Sequence, residues 1–309
     1  MKKISILSPC FNEEENVAEL YKQVKAQFDT LPEYEYELLF IDNASTDHTV
    51  EILRQLAAKD KNVKLILNAK NAGHIRSPYY GLLQLHGDAV ITLVSDLQDP
   101  PEMIPTFIKK WEEGYKIVIG IKNKSKENPF MFLARKLFYK VIARFSDTEH
   151  ISNFTGFGLY DQSFIEILRT IDDPYPYFRG MIAEMGYNRY DVPYTQPSRK
   201  NGKSKNNFYT LYDIGMLGFV NHSKLPLRLA SFIGFGVAML SLLVAIAYFV
   251  YKLIFWDEFS IGTAPLVIGL FFFSSIQLFF IGIIGEYIGA IHTQVRKRPL
   301  VIEKERVNF

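Results

Sequence analysis

The sequence has 309 residues and a formal net charge of +2, with 48% hydrophobic side chains and 25 phenylalanines gathered toward its C-terminal third. A nearly balanced charge excludes a global field that would recruit nucleic acid. One cysteine, Cys10, excludes a disulfide framework or a CxxC metal knuckle and suits a cytosol-facing domain.

The opening stretch MKKISILSPCFNEEEN does not read as a secretory leader, because its apolar part is short and runs into acidic residues. Residues 4–8 (ISILS) read as a buried strand and Glu13–Phe28 as a helix. Strand 37–41 (ELLFI), an amphipathic helix over Thr46–Ala58, strand 63–67, a helix around Ser77–Leu85 and strand 89–94 follow. Near-continuous apolar strands alternating with helices predict a mainly parallel sheet covered on both faces. In such sheets ligands sit beyond the carboxyl ends of the strands. The polar tips there are PCFNEEEN, DNASTD and SDLQD, which would share one crevice.

Beyond Glu102 the pattern predicts a strand at 117–121, an aromatic helix at 132–145, a glycine-punctuated strand or turn at 153–160 and a helix at 163–170. QPSRKNGKSKNN is a basic loop, and Phe208, Leu211, Tyr212, Gly215, Met216 and Phe219 recur at helical spacing. That spacing fits a helix lying on a membrane surface or, as the alternative, one packed on the domain. No charge interrupts 229–251 or 259–285, and each run is long enough to cross hydrocarbon as a helix. Buried helices of a large soluble protein are the weaker reading, given Tyr248, Tyr251 and Trp256 near the expected interface. Lys and Arg cluster before the first run and after the second, which puts both ends in the cytoplasm.

The expected organisation is therefore a cytoplasmic α/β domain over 1–206, an amphipathic juxtamembrane helix over 207–226, and a two-helix transmembrane hairpin over 227–292. Its spans lie at about 229–252 and 262–285. A cytoplasmic basic tail follows over 293–309, in an inner-membrane, multi-pass protein.

No GxGxxG, GxxxxGK[ST], GxSxG or HExxH is present. SILSPCFNEEENV, LLFIDNASTDHT, NAGHIRSPYYGL, DLQDPPEM, FTGFGLYD, RGMIAEMGY and RKNGKSKNNFYTLYD nevertheless follow one another in a specific order. In that order the chain resembles family 2 glycosyltransferases of the Rossmann-like GT-A fold. With two C-terminal spans it is similar to the polyprenyl-phosphate branch, which includes dolichyl-phosphate mannose synthase and bactoprenyl-phosphate glucosyltransferases.

The resemblance implies transfer of a hexose from a nucleotide sugar, UDP-linked by preference, to undecaprenyl or a similar polyprenyl phosphate. It implies that Asp42 receives the nucleotide base, with a helix cap as the alternative role. Pro9, Phe11, Asn12, Glu13, Asn71, Gly73 and Ser95 would line the same nucleotide-sugar pocket, and glycine in the 71–74 loop would permit close backbone approach. Where the family has Asp-x-Asp-Leu-Gln around Mg²⁺ or Mn²⁺, this chain has Val94-Ser95-Asp96-Leu97-Gln98, so Asp96 and Gln98 are the expected metal ligands. Such cations often bind through one or two carboxylates plus substrate phosphates.

Asp99 reads as a turn residue before Pro100. A lipid phosphate is already anionic, so cations to hold it matter more than a base. Arg135, Arg199, Lys203 and Lys205 match that role, and the basic loop also suits anionic lipid. Asp161 and Glu184 stand as candidate bases without a choice between them. The resemblance further suggests an oligomer and does not identify a flippase for the product. A hydroxyl-bearing lipid acceptor, or a nucleotide-sugar-binding membrane protein without catalysis, remain the alternatives.

Overall fold

The structure, a computed structural model, describes residues 1–123, 151, 153–197, 225–255 and 263–309. Five strands, β1 (Lys2–Cys10), β2 (Tyr34–Asp42), β3 (Val63–Asn68), β4 (Ala89–Thr92) and β5 (Ile117–Lys122), alternate with four helices. These are α1 (Val17–Phe28), α2 (Thr49–Lys59), α3 (Gly73–Leu83) and α4 (Ile104–Glu112). Then come β6 (Phe154–Asp161), α5 (Gln162–Thr170), α6 (Phe178–Glu184), β7 (Arg189–Tyr194), two long helices α7 (Leu225–Ile254) and α8 (Thr263–Val295), and β8 (Glu303–Val307).

All eight strands form one sheet in the order β7-β5-β6-β4-β1-β2-β3-β8, in which β6 and β8 run against the rest. Alternation along β2 shows how the sheet makes two cores. Leu38 and Phe40 pack toward α1, α2 and α4, while Leu39 and Ile41 pack toward α3 and α5. Both faces are fully buried, which accounts for apolar runs with no polar alternation. On the second face, a Cβ at Gly81 would lie 2.7 Å from Leu7 Cδ1, so glycine lets α3 sit directly on β1.

The expected elements are present with shifted ends. Helix α3 begins at Gly73 rather than Ser77, although Pro78 is better suited to a first turn. Strand β4 stops at Thr92, because the Val94 N–H turns away to the Asp99 carboxylate at 3.2 Å. The segment at 153–160 is a full antiparallel strand, β6.

Residues 303–307, within the expected basic tail, form β8 on the outer edge of β3. Tyr80 donates to Glu303 (2.9 Å), Arg54 pairs with Glu305, and Asn308 Nδ2 donates to the Ala57 and Val63 carbonyls. Between β7 and β8 in chain order, α7 and α8 touch each other and turn large apolar side chains outward, with Phe232 75% exposed. Within α8, Phe272–Val295 is long and apolar enough to cross a membrane; among the described residues of α7 the apolar stretch is shorter, Ala230–Ser241. The expected helices at 132–145 and 208–219 lie outside the described residues.

At the opposite edge from the strand tips, buried Glu37 accepts from Ser5 Oγ (2.6 Å) and pairs with Lys3 (2.5 Å) and Lys64 (2.8 Å). Burial alone would raise its pKa, but these partners outweigh burial and hold the carboxyl below its ordinary value. A depressed folded-state pKa stabilises the fold at neutral pH, and that contribution is lost as acidity passes through the range below the ordinary value of 4.5. The unfolding temperature should therefore fall more steeply for the wild type than for Glu37→Gln between about pH 5 and pH 3, and in parallel with it above about pH 5.

Candidate active site

Because β1 lies between β2 and β4 with all three parallel, their carboxyl ends open on one edge. There the loops are laced together. Asn12 N–H donates to Ser45 Oγ (2.8 Å), Thr46 N–H to Asn12 Oδ1 (2.8 Å) and Glu13 N–H to Thr49 Oγ1 (2.9 Å). Ser95 Oγ meets Ser8 Oγ at 2.7 Å and donates to the Pro9 carbonyl at 3.0 Å, which fixes the tip of β4 to the tip of β1. Each of the three tips carries one non-glycine residue in the left-handed region: Asn12 (φ 56°), Ala44 (φ 62°) and Leu97 (φ 60°). Such residues persist where surrounding structure over-determines them, and they cluster at ligand sites.

Asp42 ends β2 almost fully buried and accepts from Ser45 N–H (3.0 Å) and from Ser45 Oγ. Burial raises its carboxyl above the usual range, while the Ser45 and Ala44 bonds work in the other direction. It caps no helix; the carboxylate at the start of α2 is Asp47, which accepts from Thr49 N–H at 3.0 Å. A buried carboxylate beside the β1 tip is well placed to accept N–H groups from a ligand's ring.

The 71–74 loop is held by residues that the sequence reading did not single out. Asn43 Nδ2 donates to Asn71 Oδ1 (3.0 Å) and to the Gly73 carbonyl (3.2 Å). Its Oδ1 accepts from Ala72 N–H (2.8 Å) and from Asn68 Nδ2 (3.1 Å). Gly73 has φ +88° and no heavy atom within 4 Å of a built Cβ, so backbone conformation, not close approach by protein, requires glycine there. Asparagines with no periodic pattern carry little sequence signal; the only cue was their place at the ends of β2 and β3.

At the third tip, Asp96 is half-buried and its Oδ1 accepts from Gln98 N–H at 3.1 Å. Val94 stands 38% exposed where the resemblance leads one to look for a carboxylate. Asp99 is more than a turn residue. It is 3% exposed and accepts from Val94 N–H (3.2 Å) and Tyr194 OH (3.2 Å), and burial pushes its carboxyl up to about 6. Among the described residues, no group of three or more His, Cys, Asp or Glu is arranged around a cation. The two side chains to which the resemblance points at this tip, Asp96 and Gln98, offer a carboxylate and an amide oxygen. Both are hard oxygen donors, and they fit a divalent cation that takes its other ligands from phosphate and water.

Pro9 and Val94 also border a cavity of about 340 Å³ between α3, β6 and α6, to which Asp99, Phe157, Tyr177 and Arg179 contribute. Asp161 is nowhere near it. Because β6 is antiparallel, Asp161 pairs with Ala89 at the far end of β4, caps α5 through Ser163 N–H (3.0 Å), and binds Trp111 Nε1 (2.7 Å) and Lys116 (3.0 Å). It is a structural carboxylate. Glu184 lies on α6 beside a second cavity. Arg135, Arg199, Lys203 and Lys205 lie outside the described residues.

The doubly covered, mainly parallel sheet, with the β1, β2 and β4 tips opening on one edge, has the GT-A glycosyltransferase fold. Glucosyl-3-phosphoglycerate synthase from Mycobacterium tuberculosis, solved with Mn²⁺, UDP and phosphoglyceric acid, shares it. The TM-score is 0.50 at 18% identity, over 71% of this chain and 76% of that one. Residues 5–168 match the model of glycosyl transferase family 2. An uncharacterized glycosyltransferase of Bacillus subtilis, YkcC, is 32% identical over 96% of this chain and 92% of its own. The SfII prophage-derived bactoprenol glucosyl transferase of Shigella flexneri is 33% identical over 98% of both chains. The chain belongs to glycosyl transferase family 2.

Asn43→Ala removes the acceptor of the Ala72 N–H and one of the two donors to Asn71 Oδ1, the other being Gly73 N–H. It should cost about 1–3 kcal/mol and speed hydrogen–deuterium exchange at residues 69–75, while exchange in the distant β7 stays as in the wild type.

Proposed function

We propose that this glycosyltransferase moves a hexose, glucose or a close relative, from a UDP-linked donor to undecaprenyl or a similar polyprenyl phosphate, with inversion, at the cytoplasmic membrane face. The observation that carries this reading is that the sheet bearing the donor crevice is completed by β8, which follows α7 and α8. A crevice tied in this way to an apolar helix pair is held beside the bilayer, where only a lipid acceptor gains from the placement. The likeness to bactoprenol glucosyl transferases over nearly the whole chain supports the same acceptor.

The β8 pairing also supports the two-span hairpin. Strand β8 rejoins the sheet after α8, so a hairpin of two crossings keeps it on the same side as β3, which favours this topology over a single span. Basic residues flanking the pair favour the cytoplasm for both ends.

In this reading Asp42 accepts from the nucleotide base, and the loops around Asn12, Glu13 and Asn71 to Gly73 close over the nucleotide. Asp96 and Gln98 hold Mg²⁺ or Mn²⁺, which when bound offsets charge on the departing diphosphate. The acceptor phosphate oxygen attacks the anomeric carbon without a strong base, since it is already ionised near neutral pH. The position of Asp161, at the far end of β4 and bound to Trp111 and Lys116, supports a reaction without a carboxylate base there. Arg135, Arg199, Lys203 and Lys205 are proposed to hold phosphate oxygens.

Purified full-length protein in nanodiscs with undecaprenyl phosphate, a panel of UDP- and GDP-sugars and Mg²⁺ or Mn²⁺ should yield a lipid-phosphate sugar by mass spectrometry. Asp96→Asn should lower the rate by at least about a hundredfold, the scale of losing a group that acts at the developing charge. Product from no donor would remove the reading in favour of a binding protein without catalysis. Val94→Asp adds a second carboxylate and should lower the metal concentration that gives half-maximal rate.

A further inference from the structure

Two cavities flank α6, and a single side chain, Tyr177, lines both. The first, about 340 Å³, reaches the tips of β1 and β4 and includes Arg179. The second, about 490 Å³, lies between α6 and the last turns of α8. Both volumes fall in the range of pockets that hold ligands, about 300–1,000 Å³.

Their linings differ in a way that orders a ligand. In the first, Arg179 gives one donor to the Phe154 carbonyl (3.3 Å) and stacks its guanidinium over Tyr177, 5.7 Å from the ring centre. A guanidinium has five donors in a planar fork, so it retains capacity for phosphate oxygens. The second is walled by Met181 and Met185 of α6 and by Tyr287, Ala290 and Ile291 of α8. Positions 287, 290, 291 and 294 share one face of a helix. Ile291 is 57% exposed, so this wall opens outward along the same apolar helix. The carboxylates Asp173 and Glu184 border the second cavity with no Arg or Lys in its lining, whereas in the first Arg179 stands with one carboxylate, Asp99, that already accepts from Val94 N–H and Tyr194 OH. Phosphate therefore belongs at the first cavity and hydrocarbon in the second.

We infer that the acceptor's isoprenoid chain leaves the active site past Tyr177 and lies in the groove between α6 and α8, while Arg179 holds its phosphate beside the tip of β4. This rests on the polyprenyl-phosphate reading above and assigns that acceptor a path. Methionine and flexible aliphatic walls suit a branched, irregular chain. Because α8 is apolar beyond the groove, the chain passes from protein to bilayer along one helix without crossing water. The inference makes the α6–α8 groove responsible for chain-length preference, separately from sugar choice at the strand tips.

A benzophenone-bearing farnesyl phosphate, photolysed with the full-length protein in detergent, tests binding without requiring turnover. Label is expected at Met181 or Met185, or within 287–294, displaced by undecaprenyl phosphate and not by inorganic phosphate. Ala290→Trp, which fills the groove, should cut that label at least fivefold. It should also lower the ratio of kcat/KM for undecaprenyl over citronellyl phosphate at least tenfold. Ile291→Asn makes the same test without added bulk. Label confined to other segments, label that undecaprenyl phosphate does not displace, or an unchanged chain-length ratio in both variants would overturn the inference. Glycolipid formed without label in the groove sinks the path and leaves the transferase reading standing. Displaceable label in the groove with no glycolipid from any donor does the reverse.

Discussion

The active edge depends on β1 being hydrogen-bonded on both sides, to β2 and to β4, in the same direction. Lateral pairing leaves no freedom in where the tips fall: Cys10 lies opposite Asp42, and Leu7 opposite Thr92. Once that register is set, Asp42 and the 94–99 turn must flank the same opening. The polar contacts of Ser8, Ser95, Asn12 and Ser45 then lock loops already brought together. The left-handed residues at each tip are tolerable for the same reason, since the sheet holds both ends of each loop.

Two carboxylates occupy the turn after β4, and their surroundings divide the work. Asp99 is committed to the protein, accepting from Val94 N–H and Tyr194 OH in a buried site that favours its neutral form. Asp96 is half-buried, its Oδ1 accepting from Gln98 N–H, and it is the carboxylate proposed above as a metal ligand. With an apolar side chain at Val94, the same turn faces the α3–β6 cavity with hydrocarbon where a second charge would otherwise sit. In the proposed function, a single-carboxylate turn would rely more on the substrate's own phosphates to hold the cation.

Much of this edge was legible in the sequence because a buried parallel strand is a dense apolar word and its end is abrupt. LLFID and AVITLVSD each announce where a polar side chain must emerge. What stayed hidden has physical causes. Asn43 and Asn68 act through amide hydrogen bonds that leave no periodicity. Asp161 looked like a site carboxylate because strand direction cannot be read from composition, and only the antiparallel run of β6 sends it to the far edge. Strand β8, EKERV, is half-exposed with charges throughout, so it shows no apolar alternation. Its partner β3 lies more than two hundred residues earlier, beyond the reach of any local pattern.

That last pairing bears on how the protein is made. Until residues 303–307 have been synthesised, β3 is an open edge with unpaired backbone groups, the kind of surface on which chains aggregate. Both long helices are translated before those residues, so the catalytic sheet is finished only after the apolar pair has been handed to its final surroundings. Closure of that edge therefore waits on one short charged strand that follows both long helices in the chain.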